Sequence, residues 1–253
     1  MTIGCIIQAR LGSTRLPNKI IQLLDQKSTV LDYVINQTTN SKLIEKIIIA
    51  TTNLVEDDVI LKTVSKKNLD YFRGDSNDVL DRYYQCAKKF SLSTIVRITS
   101  DCPLVDPNII DDSIKFFKNN SFDYVSNVHP QTFPIGIAVE VFSFESLQKA
   151  WKNAKLPSER EHVTPYLYNN KKFNIYNLEY STNLTSIRIT IDRENDLKLV
   201  RNVVSKIKNR PILLSDIVKL HNEDPKMFKL NLDYDINEGY LKSLKDDERF
   251  LNS

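Results

Sequence analysis

The sequence predicts an α/β fold: a single domain on a mixed, mostly parallel sheet flanked by helices. Three observations carry this expectation. Short apolar, β-rich runs alternate with helix-period segments through the first half, the pattern of parallel strands covered by helices. The first run opens into a loop bearing Arg10, Arg15 and Lys19, with no Asp or Glu before Asp25, and α/β sheets hold phosphates at such an edge. Beyond residue 120 the strands follow one another with fewer helices between them, so some antiparallel pairing or a protruding hairpin is expected there.

Taken in order, Ile3–Gln8, 46–51 and 94–98 read as buried central strands. Between them, 30–38, 56–67 and 79–90 place apolar residues at i, i+3, i+4 and i+7, which suits amphipathic helices. Asp106 followed by Pro107 is an N-cap with proline at the first helical position, starting a helix that reaches about Lys118. Segments 123–126, 138–142, 173–178 and 186–191 read as strands, and a helix over 194–207 follows the last. Ser215 is expected to cap another helix, ending near His221. The main domain is expected to span 1–223, with the charged residues 224–253 as an arm on the body or a loosely ordered tail.

A chain of 253 residues that is 41% hydrophobic can bury one substantial core. It has neither an apolar run of membrane-spanning length nor a signal-peptide start, so a cytoplasmic protein without membrane attachment is expected. Cys5, Cys86 and Cys102 are too scattered for a disulfide framework or a zinc cluster, and reduced thiols are expected. The net charge of +3 is mild and the lysines are interspersed with acids, which argues against nucleic-acid binding. Only five glycines occur, and Gly12, Gly74 and Gly136 all fall inside polar or charged motifs.

Three constellations could carry chemistry. Arg10, Ser13, Arg15 and Lys19 lie in one loop, where guanidinium forks, a hydroxyl and backbone amides can meet a triphosphate. Pro17 fixes the backbone that presents Lys19. The plain alternative is a solvated basic loop; its position after a buried strand and its lack of acids weigh against that. Asp101 follows the strand at 94–98, where open α/β sheets place ligands and Mg²⁺, although alone it reads equally as a turn residue. Asp192 ends the apolar run at 186–191, with Asp196 four residues later, so two strand-end acids from distant sequence could share a metal with phosphates. His162, in an Arg-Glu-His cluster, suits an acceptor contact, a base or a structural histidine. His129 and His221 read as structural or surface residues.

The runs from Ile6 to Lys19, Phe72 to Asp75, Asp78 to Tyr83 and Arg97 to Pro107 resemble the cytidylyltransferases of the spore-coat polysaccharide type, relatives of the CMP-Kdo and CMP-sialic acid synthetases. So do 123–127, Phe133-Pro134, 140–143, 160–166, 188–192 and Asn237-Glu238-Gly239-Tyr240. The resemblance implies a nucleotidyltransferase fold related to the GT-A glycosyltransferases, CTP as donor, Mg²⁺ as cofactor, a small anionic acceptor and a homodimer. By position, it implies that Arg10, Gly12, Ser13, Arg15 and Lys19 hold the triphosphate while Ala9 and nearby backbone face the cytosine. Asp101 and Asp192 match the metal-binding acids, and Arg73 and Asp78 fall in the segment that approaches the nucleotide. Lys19, Arg10, Asp101 and Asp192 are thereby the expected catalytic set.

Three positions depart from the pattern. Asn18 stands for a usual glycine, Ala138 for a common acid, and Glu194-Asn195-Asp196 for a Pro-Glu-Asp run, leaving Asp196 in place. The reaction expected is transfer of CMP to an acidic sugar with release of pyrophosphate. A phosphorylated acceptor, a glycosyltransferase using a nucleotide sugar and a non-catalytic nucleotide-binding subunit are the alternatives.

Overall fold

The computed structural model describes residues 2–232 and 238–252; Asn237 of the last motif lies outside them. The chain begins β1 (Ile3–Gln8), α1 (Val30–Thr39), β2 (Lys46–Thr52), α2 (Asp58–Lys66), β3 (Asp70–Gly74), α3 (Val79–Lys89), β4 (Thr94–Thr99) and α4 (Pro107–Asn119). It continues β5 (Tyr124–Ser126), β6 (Glu140–Ser143), α5 (Phe144–Asn153), α6 (Pro157–His162), α7 (Pro165–Tyr168) and β7 (Ile175–Asn177). Helices α8 (Glu194–Lys206), α9 (Leu214–Glu223) and α10 (Glu238–Leu251) complete it.

One seven-stranded sheet runs β3-β2-β1-β4-β6-β5-β7. Only β6 opposes the rest, pairing antiparallel with β4 and β5. The antiparallel pairing expected after residue 120 is therefore built into the sheet. From β1 the chain winds outward through β2 and β3, then returns to the other side of β1 as β4. This reversal creates a switch point between β1 and β4, whose carboxyl ends open the crevice where such sheets bind ligands.

The central strands are buried on both faces, which is why they read as continuous apolar runs. Ile7, Ile49 and Val96 pack with α1, α2 and α4 on one face, whereas Ile6, Ile48 and Ile95 pack with α3 and α5 on the other. A third cluster joins Ile187, Ile189 and Ile191 to α8 and α9. Asp106 caps α4 as expected, accepting from Asn108 N at 2.7 Å, and also accepts from Leu214 N at the start of α9, at 2.7 Å. One buried carboxylate thus ties two helix starts together.

Several elements differ from expectation. Segment 186–191 is not a strand: Arg188 makes a single bridge to Ile135, and the alternating isoleucines are buried by packing beside α8 instead of by a ladder. Backbone passes so close there that a Cβ on Gly136, which has φ +107°, would lie 2.4 Å from Thr190 N. Ser215 does not cap α9. The helix starts at Leu214, and Asp216 reaches back to accept from Leu213 N at 3.1 Å. The segment expected as a helix over 56–67 opens with a 3₁₀ turn, Val55–Asp57. In the 224–253 region, a 3₁₀ turn at Met227–Asn231 buries Asn231. Asp247 of α10 accepts from Ser158 N at 2.8 Å and Ser158 Oγ at 2.5 Å, seating that helix on α6.

Candidate active site

At the carboxyl ends of β1 and β4, the loop after β1 turns back across the edge. Asn18 has φ 58° and ψ 20°, the left-handed conformation that Asn tolerates better than most residues. This turn leads into the 3₁₀ segment Lys19–Ile21 and leaves Lys19 only 8% exposed. The Lys19 ammonium donates to Asp101 Oδ2 and Asp192 Oδ1, both at 2.9 Å, and to Ile191 O at 2.7 Å. Two acids 91 positions apart thereby converge on a single cation. Burial works against the charged amine, but the charges of Asp101 and Asp192 outweigh it and hold the lysine pKa above its usual value. Burial likewise opposes ionisation of Asp101, yet Lys19 beside it and a Thr99 hydrogen bond keep its carboxyl well below the usual range.

Asp192 is a hub. Its Oδ1 also receives Arg15 Nη2 at 2.7 Å, and its Oδ2 receives Arg188 Nη2 at 3.0 Å. Arg188 reaches Asp196 at 3.0 Å, and Asp196 accepts from Asp192 N at 2.9 Å and Asn231 Nδ2 at 2.7 Å. Burial raises the Asp196 pKa, but the Arg188 hydrogen bonds and charge more than reverse this and hold it low. Lys19, Arg15 and Arg188 stand against Asp101, Asp192 and Asp196, an even balance of three cations and three carboxylates. Arg15 and Arg193 also hold Glu238, the first residue of α10. Cys102 Sγ lies 3.7 Å from Asp101 Oδ1, and burial pushes its thiol up to about 12.

Across β4 lies a second ionic network. Arg97 pairs with Glu140 of the neighbouring β6, whose other oxygen accepts from Tyr124 at 2.7 Å and Thr164 at 2.6 Å. The Arg10 guanidinium lies 3.8 Å from Glu161. His162 bonds Ser243 of α10 at 3.0 Å, and Ser243 in turn donates to Glu161 at 2.7 Å. Among the described residues, no group of three or more His, Cys, Asp or Glu side chains is placed to hold a metal by itself.

The structure brings Lys19, Arg15, Asp101 and Asp192 into direct contact, whereas Arg10 pairs with Glu161 instead. Gly12 and Ser13 lie in that loop, where Ser13 N donates to Leu11 O at 2.7 Å. The Ala9 side chain is buried in the core and its N–H is spent on Ala50 O, so only its carbonyl is left to face a ligand. Arg73 is committed to Thr52 O, Leu54 O and Asp58, all within 2.9 Å. Asp78 caps α3 and binds Arg160. Sequence reasoning assigned no role to Glu238, Arg82 or the Arg97–Glu140 pair. All lay within the motifs it quoted, but only the fold shows what each one meets.

A basic loop and two facing acids at the switch point of such a sheet define an α/β nucleotide-handling enzyme fold. Residues 4–235 match the sequence profile of the cytidylyltransferase family, and the chain belongs to that family. A cytidylyltransferase from Leptospira borgpetersenii superimposes with a TM-score of 0.88 at 31% identity, covering 93% of this chain and all of that one. The Bacillus subtilis spore coat polysaccharide biosynthesis protein SpsF is 31% identical over 87% of this chain and 94% of its own length. An uncharacterized Methanocaldococcus jannaschii protein is 38% identical over 91% and 95%, respectively. Among the described residues, no helix is long and apolar enough to cross a membrane.

Proposed function

We propose that the protein transfers CMP from CTP to an acidic sugar, releasing pyrophosphate, in the synthesis of a surface polysaccharide or glycoconjugate. The observation that carries this reading is the convergence of Asp101 and Asp192 on Lys19 beside the basic loop. The acceptor class rests on resemblance to the acidic-sugar synthetases and on the name of the spore-coat relative. A homodimer working in the cytoplasm is part of the same reading.

A divalent cation fits this donor set. Asp101 and Asp192 already share one cation, and Mg²⁺ is usually held by one or two carboxylates together with substrate phosphates. The even charge balance around Asp192 also has no cation to spare for a triphosphate, so an added metal suits the load. Asp101 and Asp192 would hold Mg²⁺, which supplies charge neutralisation at the phosphates and a lower pKa for an attacking hydroxyl. Lys19 and Arg15 hand their hydrogen bonds from carboxylates to phosphate oxygens, and Lys19 stabilises the charge that develops on the leaving pyrophosphate. Arg10, more exposed and weakly paired, turns from Glu161 to the triphosphate.

The test begins with thermal stabilisation by CTP, UTP, ATP and GTP, each with and without Mg²⁺. It continues with pyrophosphate release in the presence of acidic-sugar and phosphorylated acceptors. A CTP-selective, Mg²⁺-strengthened shift followed by release with an acidic sugar is expected. Release only with phosphorylated acceptors would replace the acceptor class, and sugar transfer without pyrophosphate would replace the reaction.

A further inference from the structure

The loop after β1 carries Arg10 and Arg15, and both are held by acids from one part of the molecule. Arg10 Nη2 lies 3.8 Å from Glu161 of α6, and Arg15 Nη1 lies 3.2 Å from Glu238, the first residue of α10. All four side chains are between 32% and 47% exposed, so these pairs bind weakly and an anionic ligand can replace either acid. Asp192, which also holds Arg15, is 14% exposed and tied to Lys19 and Arg188 as well.

Glu161 and Glu238 are distant in sequence but belong to one unit. Ser243 of α10 donates to Glu161 Oε2 at 2.7 Å and bonds His162 Nε2 at 3.0 Å. Asp247 of α10 accepts from Ser158 N and Oγ, and the rings of Tyr240 and His162 meet edge to face. Helix α6 is in turn fixed to α3 through Arg160, which pairs with Asp78. What α10 lacks is an apolar seat: it buries Ser243 and Asp247, while Leu241, Leu244 and Leu251 stay exposed. Little hydrophobic area holds this helix down, so it shifts more readily than a packed one. Its hold on the β1 loop is the Glu238–Arg15 pair, reinforced through Glu161 by the pair with Arg10.

We propose that Glu161 and Glu238 form a two-point clasp that competes with phosphates for the loop arginines and is released by a ligand carrying several linked phosphates. The inference rests on the reading above, in which Arg10 and Arg15 hold the triphosphate of CTP. Carboxylate and phosphate oxygens compete for the same guanidinium donors. A single phosphate that takes one arginine leaves the other acid in place, and the unit stays on the loop. A chain of phosphates takes both arginines at once and frees α10 from the loop. The clasp therefore favours a triphosphate over a monophosphate and links occupancy of the site to the position of α10.

The test uses the full chain with Mg²⁺ and titrates CTP and CMP calorimetrically into wild type, Glu161→Gln, Glu238→Gln and the double variant. Glutamine keeps the side-chain shape and an acceptor oxygen for Ser243. A control, Asp246→Asn with Glu248→Gln, removes two charges from α10 outside the clasp. Each single substitution should tighten CTP binding by less than about threefold, because the other acid still holds. The double variant should tighten it by roughly tenfold, more than the product of the singles, whereas CMP in the double variant and CTP in the control should change by less than about twofold. A gain in the double variant equal to that product would mean two independent surface pairs and overturn the clasp. An equal gain for CMP, or in the control, would overturn it too. Unchanged or weaker CTP binding in the double variant, with wild type still binding CTP, would overturn it while leaving the cytidylyltransferase reading intact. Wild type that binds no nucleotide would overturn both.

Discussion

The two ionic networks flanking β4 are built from the same residue types and behave as different devices. Around Glu140, every oxygen is taken by groups on β4, β5 and the turn before α7, and the pair is locked between two strands in register. Around Asp192, the partners come from loops and helix ends, Asp101 stays 29% exposed, and one carboxylate is shared among three cations. The first network fixes how an antiparallel strand enters a parallel sheet. The second can exchange partners without moving a strand, as the triphosphate site proposed above requires.

The contrast can be broken at either end. Glu140→Ala leaves the Arg97 guanidinium buried and unpaired, and should cost about 3–5 kcal/mol of stability, seen as a lower urea midpoint. A loss under about 1 kcal/mol would mean that the pair is not a structural lock. Asp192→Asn and Asp101→Asn should each lower metal-dependent pyrophosphate release by roughly 10²–10³ while circular dichroism stays native. Near-normal turnover in both would remove these acids from the chemistry.

The pH response should separate the two as well. Glu140 and Asp196 have folded pKa values below their ordinary ones, so their stabilisation is complete above the unfolded value of about 4 and fades as pH falls through the folded value. Lys19 has a raised folded value, so its contribution is complete below about pH 10 and fades as pH rises beyond that. Melting temperature should therefore hold from neutral pH to about 5, fall below about 4, and lose its alkaline drop above about 10 in Lys19→Met. The smallest effect is expected from Glu238→Gln. That residue is solvent-exposed, so nucleotide affinity should change by less than about threefold with melting unaltered.

Much of this architecture was legible because buried parallel strands announce themselves. β1, β2 and β4 are apolar on both faces, and each was bounded within one residue. Asp106-Pro107 marked a helix start because its cap is local chemistry. The run 186–191 misled for a physical reason: Ile187, Ile189 and Ile191 alternate to fill a cleft beside α8, and alternation alone does not distinguish packing from pairing. Helix α10 was obscured by its charge, since the residues it buries are Ser243 and Asp247 and not an apolar stripe. At the site, the cations and acids could be read, because their residue types are limited and their loops follow strands. Which acid meets which cation depends on how the sheet edge brings distant segments together.

Cys102 offers a way to watch the site at work. All three cysteines are buried, and this one lies beside Asp101 with a thiol that does not ionise near neutral pH while enclosed. Alkylation of that sulfur must therefore wait for the segment carrying Asp101 to open, so its labelling rate records how often the crevice breathes. Cys5 in the central strand and Cys86 in α3 provide internal references for slower, wider openings. A bound nucleotide that ties the Asp101 segment to the loop of Lys19 should lengthen the labelling time at Cys102 alone, giving the native chain a built-in clock without any added probe.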